Sequence, residues 1–440
     1  MKPESLRTQA VRALLQIESE GAFTGLGRRG PTSDPRLERR LTDLVAGVTR
    51  HRRWLDFLVN FFYSGQADKL EPAIRVILRV GIFELTIAHT PAHAVINECV
   101  NAGSELVGKR ATGLINGILR TVTRKISELP VPSTGDLVQD LGIQFSHPDW
   151  IVKRWISAYG EVDARKFLEY NNQRPIFGIR IREGDALTFL SSLGESGSEF
   201  EESKFFPDYV RTRRMQGLLA GDHLSSGKVL VQDEAAGGVI YALDPQRGDR
   251  VLDLCAAPGG KSLAIAERIG PTGKVVAVDM HEGRLGMLTK ESDRLGLENI
   301  ETRVQDARIM TLSPYESGFD RVLVDAPCSG LGVLAKRADL RWRKTEASIQ
   351  ELARLQNEIL ENASRLVRTG GVLVYSTCTT EPEENEQIAA SFLKNHSEFV
   401  IESVKDCVPA ELLAENGAYR TLPFRDGIDG AYAVRFRKKD

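Results

Sequence analysis

Cysteine is scarce in this chain and nowhere paired. Five thiols stand in 440 residues (Cys99, Cys255, Cys328, Cys378 and Cys407), with no C-x-x-C among them. That spacing argues against a zinc site and a disulfide framework, so no metal is expected and a reducing, cytoplasmic setting is. Long apolar runs are missing as well. None approaches the roughly 20 residues of a membrane-spanning helix, and the opening Met-Lys-Pro-Glu-Ser does not read as a signal peptide. No membrane partner is expected, and a monomer is. A large excess of one charge is also absent: the net charge is −2, which by itself advertises no polyanionic partner. A lone cysteine is by default a small buried hydrophobe, so a chemical role for any of the five needs a second observation.

What is present is a globular composition, 42% hydrophobic and 27% charged, at a length that predicts two or three domains. Residues 1–130 carry 19 Lys+Arg against 13 Asp+Glu, an excess of six positive charges, which leaves the remainder at −8. Apolar residues in this part recur at helical spacing: Ala10, Val11, Leu14, Leu15, Ile17; Leu41, Leu44, Val45, Val48; Ile74, Ile77, Leu78, Ile82; Leu114, Ile115, Ile118, Leu119. An all-helical domain is predicted, with Pro72 in the first turn of a helix. Gly25 to Asp34, with Arg28 and Arg29, reads as a polar loop. Arg50, Arg52 and Arg53 beside Trp54 form a candidate RNA-contact cluster; the alternative is a helical bundle that packs against another part of the protein or a partner. Leu129-Pro-Val-Pro-Ser-Thr-Gly135 reads as a linker. Residues 131–240 then predict a small α+β adaptor, with strands at Phe177–Arg182 and Lys228–Asp233 and an acidic loop from Gly194 to Lys204. Its Arg211, Arg213 and Arg214 are either a solvated face or part of an RNA channel.

From residue 241 to 440 the pattern changes to regular alternation. Strands are predicted at 250–255, 275–279, 300–305, 320–325 and 371–376, and helices at 261–269, 282–295, 346–367 and 383–394. That is a mostly parallel, doubly wound sheet, closed by a last strand at Gly430–Arg437 that pairs antiparallel. The first strand runs into Cys255-Ala-Ala-Pro-Gly-Gly-Lys261, a Gly-rich turn opening a helix. Three readings compete for this turn. A P-loop would need a glycine where Cys255 stands, and the dinucleotide pattern G-x-G-x-x-G is not there. A site for S-adenosylmethionine (SAM) needs an open turn and an acid at the next strand end, and Asp279 is such an acid.

In such sheets ligands lie at the carboxyl ends of the strands. Those ends carry Asp279, Asp306, Asp325-Ala-Pro-Cys328 and Ser376-Thr-Cys378. Asp279 suits ribose hydroxyls and Asp306 an adenine amino group. Two cysteines at adjacent strand ends point to thiol chemistry. Carbon 5 of a pyrimidine is a poor nucleophile until a thiolate adds to carbon 6. A carboxyl near ring nitrogen 3 stabilises that addition, and a base must afterwards remove the carbon-5 proton.

Two resemblances extend these readings. Pro91-Ala-His-Ala-Val-Ile-Asn-Glu98 and Gly113-Leu-Ile-Asn-Gly-Ile-Leu-Arg120 resemble the NusB family, an all-helical RNA-binding fold, over roughly the first 130 residues. C-A-A-P-G-G-K, D-A-P-C-S-G-L-G and Y-S-T-C-T-T-E-P-E-E-N-E, within 241–440, resemble the SAM-dependent RNA (cytosine-5) methyltransferases of the NOL1/NOP2/Sun family. That resemblance implies a class I, Rossmann-like methyltransferase domain with a mostly parallel seven-stranded sheet, behind the NusB-like domain and the adaptor. It implies Cys378 as nucleophile, Cys328 as the group that assists release, and Asp325 as the contact to the cytosine ring while lying near SAM. It further implies that Cys255, Ala256, Ala257, Pro258, Gly259, Gly260 and Lys261 wrap the methionine part of SAM, with Asp279 on the ribose, Asp306 on the adenine and Arg284 orienting the cofactor-side acids. DNA cytosine methyltransferases use the Pro-Cys cysteine instead, which would be Cys328; Thr377-Cys378 favours Cys378. The two resemblances together imply small-subunit (16S) ribosomal RNA as substrate. Transfer RNA or another RNA is the alternative, and a non-catalytic RNA-binding or assembly factor is a third reading. The chain departs from the family pattern at Thr379, where a serine is usual, and at Arg337-Ala338, where a His-Pro-like pair is common. The basic loop Leu334–Lys344, with Trp342, is expected to contact phosphates and stack on bases, and Glu381, Glu383, Glu384 and Glu386 to form a helix N-terminal turn without catalytic duty.

Overall fold

A computed structural model describes residues 4–20, 34–194, 199–313 and 317–440. The Gly25–Asp34 loop, with Arg28 and Arg29, lies outside the described residues apart from Asp34. The chain forms two compact units: residues 1–173 together with 334–343, and residues 174–333 together with 344–440.

The described residues of the first unit form helices and no strand: α1 (Leu6–Glu20), α2 (Pro35–Arg50), α3 (Arg52–Phe62), α4 (Pro72–Thr86), α5 (Ala92–Leu106), α6 (Thr112–Arg124), α7 (Leu137–Gln144) and α8 (Asp149–Tyr170). Sequence sets the ends. Asp34 caps α2 by accepting from Arg36 N–H, and Pro35 and Pro72 occupy first turns, where a missing N–H costs nothing. The run from Val76 to Leu85 on α4 is buried all round, so the neighbouring helices pack about it. Its two buried charges are matched: Arg79 pairs with Asp56 and Glu18, and Glu84 with Arg7 of α1. α8 kinks at Gly160, whose φ of 77° is left-handed. Trp155 stacks on Phe167 across the kink, ring centroids 3.9 Å apart.

The expected RNA-contact residues of this unit are turned inward. Arg53 donates to the carbonyl of His147 and pairs with Asp149 at 2.6 Å. Arg50 donates to the carbonyl of Ala335, and Arg52 lies over the Trp342 ring, 5.0 Å from its centroid. The basic loop is likewise packed into this unit. Trp342 Nε1 donates to the Thr49 carbonyl at 2.7 Å. Arg341, in the helical turn Leu340–Arg343 (α14), is fully buried. It donates to the carbonyls of Ser146 and Asn171 and to Asn172 Oδ1, at 2.9–3.1 Å. The expectation of phosphate contact and base stacking fails for Arg341 and Trp342 because backbone carbonyls from distant segments claim them first.

The second unit contains two sheets. The adaptor part has β1 (Phe177–Ile181), α9 (Ala186–Ser192), β2 (Phe200–Glu202), β3 (Tyr209–Thr212), α10 (Gln216–Ala220) and β4 (Val229–Val231), in an antiparallel sheet of order β2-β3-β1-β4. The Gly194–Lys204 segment, expected as a loop, therefore holds a strand; only Phe200 of its three residues is buried. Arg211 is neither a solvated face nor a channel wall but a buried partner of Glu234. Arg180 and Arg182 share Glu267.

The larger sheet is built from β5 (Arg250–Asp253), β6 (Lys274–Asp279), β7 (Ile300–Val304), β8 (Phe319–Asp325), β9 (Val367–Thr377), β10 (Phe399–Ile401), β11 (Tyr419–Thr421) and β12 (Ala431–Lys438). Its seven-strand path is β10-β12-β9-β8-β5-β6-β7, with β11 paired onto β12. β7, β6, β5, β8 and β9 are parallel, and β12 runs antiparallel to β9, as its sequence predicts. The helices are α11 (Glu234–Leu243), α12 (Gly260–Ile269), α13 (Glu282–Arg294), α15 (Glu346–Leu366), α16 (Glu386–Asn395) and the turn α17 (Pro423–Asp426). Val251, Leu252 and Val275 to Val278 are buried on both sheet faces, which is why they read as unbroken apolar runs. Strand order reverses between β5 and β8, the place where such sheets bind ligands.

Candidate active site

The turn after β5 is held through both backbone polar groups of one residue, Ala257. Ala257 N–H donates to Asp279 Oδ2 at 3.1 Å, and Arg284 donates to the Ala257 carbonyl at 2.7 Å. Arg284 thus orients the turn, and Asp279 keeps its other oxygen on His281 N–H. The Ala257–Pro258 peptide is cis. Gly259 has φ 116°, and a Cβ there would meet Leu288 at 2.6 Å, so the turn closes only with glycine. α12 starts at Gly260, leaving its first N–H groups at the turn without intrahelical partners.

Four carboxylates surround this turn in the strand-end positions. Asp253 is fully buried; Ser262 donates to its Oδ2 at 2.6 Å, and its Oδ1 has no protein partner. Burial pushes this carboxyl up to about 7. Asp306 binds Arg308 at 2.7 Å and stays below the usual carboxylate range through that contact. Met280, Val304 and Ile309, beside Asp279 and Asp306 in sequence, are more than half exposed. Apolar side chains left open next to acids suit a flat heterocycle carrying a hydroxylated sugar. Sequence reasoning passed over these three.

Asp325 ends β8 with both oxygens engaged. Lys261 Nζ lies 2.6 Å from Oδ2, and Ser376 donates to Oδ1 at 2.9 Å. Burial works against the Lys261 charge, but Asp325 outweighs it and raises the ammonium's pKa. Three residues beyond Asp325 comes Cys328, and at the end of the adjacent strand β9 comes Cys378. Their sulfurs are 3.3 Å apart, and Cys378 N–H points at Cys328 Sγ at 3.4 Å. The pair is asymmetric. The hydrogen bond from Cys328, with Lys261 nearby, lowers the Cys378 thiol; the same bond, burial and the charge of Glu384 raise Cys328 well above a free thiol. Burial and neighbouring acids also push Cys255 well up, and burial takes Cys99 up to about 12. Of these thiols, Cys378 is the one the surroundings favour as thiolate, and it is exposed.

Family comparison places each part of the chain. The model of 16S rRNA methyltransferase RsmB/F matches residues 240–437, the NusB family model residues 4–124, and an RsmF/B-like ferredoxin-like domain residues 147–216. Over its whole length, and the whole length of each relative, the chain is 33% identical to the probable ribosomal RNA small subunit methyltransferase B of Bacillus subtilis (strain 168) and to the ribosomal RNA small subunit methyltransferase B of Escherichia coli (strain K12). The chain belongs to the ribosomal RNA small subunit methyltransferase B family. Among solved structures, the crystal structure of PH0851 superposes with a TM-score of 0.81 at 26% identity, covering all of both chains. A methyltransferase homologue from Pyrococcus horikoshii superposes at 0.59 and 25% identity, covering 70% of this chain and all of its own. The family therefore joins a helical NusB domain, a small adaptor and a Rossmann-like methyltransferase sheet in one chain. Among the described residues no cluster of ligands suits a metal ion, and no helix is long and apolar enough to cross a membrane.

Proposed function

We propose that this chain methylates carbon 5 of a cytidine in small-subunit (16S) ribosomal RNA, through a covalent bond between Cys378 and carbon 6 of the base. The observation that carries the reading is the pair of sulfurs at 3.3 Å, on adjacent strand ends and beside Asp325. SAM fits the turn: Asp253 Oδ1 is a buried acceptor without a partner, suited to the methionine ammonium. Cys255, Ala256, Ala257, Pro258, Gly259, Gly260 and Lys261 line that end, Asp279 takes the ribose, and Asp306 the adenine. When bound, SAM supplies an electrophilic methyl group.

The protein's own groups then divide the work. The Cys378 thiolate adds to carbon 6, and the ring electrons move so that carbon 5 becomes nucleophilic. Asp325, held by Lys261 and Ser376, is the carboxyl on the side of ring nitrogen 3, through which a proton reaches that nitrogen on addition and leaves it again on methyl transfer. Cys328, the higher of the two thiols, donates to the Cys378 sulfur before attack. After transfer Cys328, having given its own proton to solvent, takes the carbon-5 proton; the freed electron pair closes the carbon-5–carbon-6 double bond, and the carbon–sulfur bond breaks to return the Cys378 thiolate.

The test is tritium transfer from labelled SAM to unmodified small-subunit ribosomal RNA, with transfer RNA in parallel, for wild type, Cys378→Ala and Cys328→Ala. The reading requires label in ribosomal RNA, its loss in Cys378→Ala, and 5-methylcytidine after digestion. Label in transfer RNA alone overturns the substrate, and label on another atom overturns the chemistry.

A further inference from the structure

Glu384 and Asn385 lie in the E-E-N-E stretch, whose glutamates are expected to form a helix N-terminal turn without catalytic duty. Both are buried, Glu384 completely, because the helical turn Pro382–Glu384 aims them under the strand ends. Each reaches a different cysteine loop. On the Cys328 side, Ser329 N–H and Ser329 Oγ both donate to the Glu384 carboxylate. Gln356 Nε2 donates to the same carboxylate at 2.9 Å and to the Pro327 carbonyl at 3.0 Å. The residue after Cys328 is thus tied to Glu384 directly, and the one before it through Gln356. On the Cys378 side, Thr377 Oγ1 donates to Asn385 Oδ1 at 2.6 Å, and Asn385 Nδ2 donates to the Thr379 carbonyl at 3.0 Å. The residues before and after Cys378 are both tied to Asn385 directly. Ser329 Oγ and Thr379 Oγ1, 2.8 Å apart, join the two loops. The dipeptide is itself held: Tyr375 donates its hydroxyl to the Glu384 carbonyl at 2.6 Å.

We propose that Glu384 and Asn385 are the positioning pair of the two-thiol site, Glu384 setting the Cys328 loop and Asn385 the Cys378 loop. The inference rests on the thiol roles given above. Since the two residues are adjacent in the chain, the sulfur–sulfur separation is set by one rigid unit rather than by two independent loops. A buried carboxylate without a cationic partner is expensive, and its hydrogen bonds to Ser329 and Gln356 are the return.

The two halves predict opposite kinetic signatures. Glu384→Gln leaves attack intact and slows release, so the RNA–protein adduct on denaturing gels accumulates about tenfold or more over wild type. On a Cys328→Ala background the same change leaves adduct formation within about twofold, since both act on one step. Asn385→Ala slows adduct formation by about tenfold or more, alone and on the Cys328→Ala background. SAM affinity, which reports on folding, stays near wild type in all. If Glu384→Gln fails to bind SAM, Ser329→Ala removes only the hydroxyl of that network and shifts the adduct in the same direction. Adduct in Cys328→Ala, together with equal losses of adduct in Glu384→Gln and Asn385→Ala, overturns the positioning pair. Absence of adduct in Cys328→Ala itself overturns the thiol roles instead. Independently of RNA, Asn385→Ala changes the iodoacetamide alkylation rate of Cys378 and not that of Cys255; an unchanged Cys378 rate overturns the pair.

Discussion

Gly332 is the sharpest steric constraint on the thiol site. Its N–H donates to the Cys378 carbonyl at 3.2 Å, and its own carbonyl accepts from Gly430 N–H at 2.8 Å. A Cβ at Gly332 would stand 2.8 Å from Gly430 Cα and 2.9 Å from the Cys378 carbonyl oxygen. Both obstacles are backbone, so one of the two strands of chain must retreat by about half an ångström to restore van der Waals contact. Overpacking of this kind costs about 1–3 kcal/mol of stability. The larger effect is on rate. A misplacement of about 1 Å costs on the order of 100-fold, so half of that predicts roughly a tenfold fall in single-turnover methyl transfer for Gly332→Ala. SAM affinity should be little changed, because the turn that holds it lies on another strand end. Gly286→Ala is the control. Its Cβ would meet nothing within 4 Å on α13, and the change should stabilise by roughly 0.5–1 kcal/mol. Gly332→Ala transferring at the wild-type rate would refute the claim that Cys378 is held to sub-ångström tolerance.

Three further outcomes follow from the geometry. Arg341→Ala should strip hydrogen-exchange protection from the segments around Ser146 and Asn171, with a loss of about 1–3 kcal/mol for each buried carbonyl left without its guanidinium donor; unchanged protection would contradict this. The Asp253 carboxyl, raised to about 7 by burial, binds its proton more tightly folded than unfolded. Stability of the SAM-free protein should therefore fall as pH rises from about 4 to about 7, by on the order of 2–4 kcal/mol from this group. Asp253→Asn should flatten that slope in pH-dependent denaturation, and an equal slope in the variant would be contrary evidence. Iodoacetamide at neutral pH should modify Cys378 before Cys99 or Cys255, as read by peptide mass spectrometry. Both of those thiols are pushed up by burial, whereas Cys378 is lowered by its partner.

The legible parts of this chain are those where one local cause decides the structure. Val251 to Asp253 and Val275 to Asp279 read as strands because both sheet faces are covered, and the Gly-rich turn reads as a turn because Gly259 alone tolerates its backbone. The strand-end acids and both cysteines follow from that register. Other features depend on partners far away in sequence. Phe200–Glu202 is a strand because β3 pairs with it, although its own composition is that of an acidic loop. Arg341 and Trp342 look like an RNA-facing pair until carbonyls of Thr49, Ser146 and Asn171 arrive from other helices. Glu384 looks like a dipole-complementing surface acid, and only the burial of Ser329 and Gln356 beside it shows otherwise. A carboxylate run beside a cysteine motif, interrupted by one asparagine, was the signal available.

Isolating the covalent complex shows which of the two thiols bonds to the base. Cys328→Ala is incubated with SAM and unmodified small-subunit ribosomal RNA, resolved under denaturing conditions, and digested to locate the cross-linked peptide. With Cys378 as nucleophile, a stable RNA adduct forms on Cys378 and is absent from the Cys328→Ala/Cys378→Ala double variant. An adduct on Cys328 in the Cys378→Ala protein, with none on Cys378 in the reciprocal variant, would contradict that assignment.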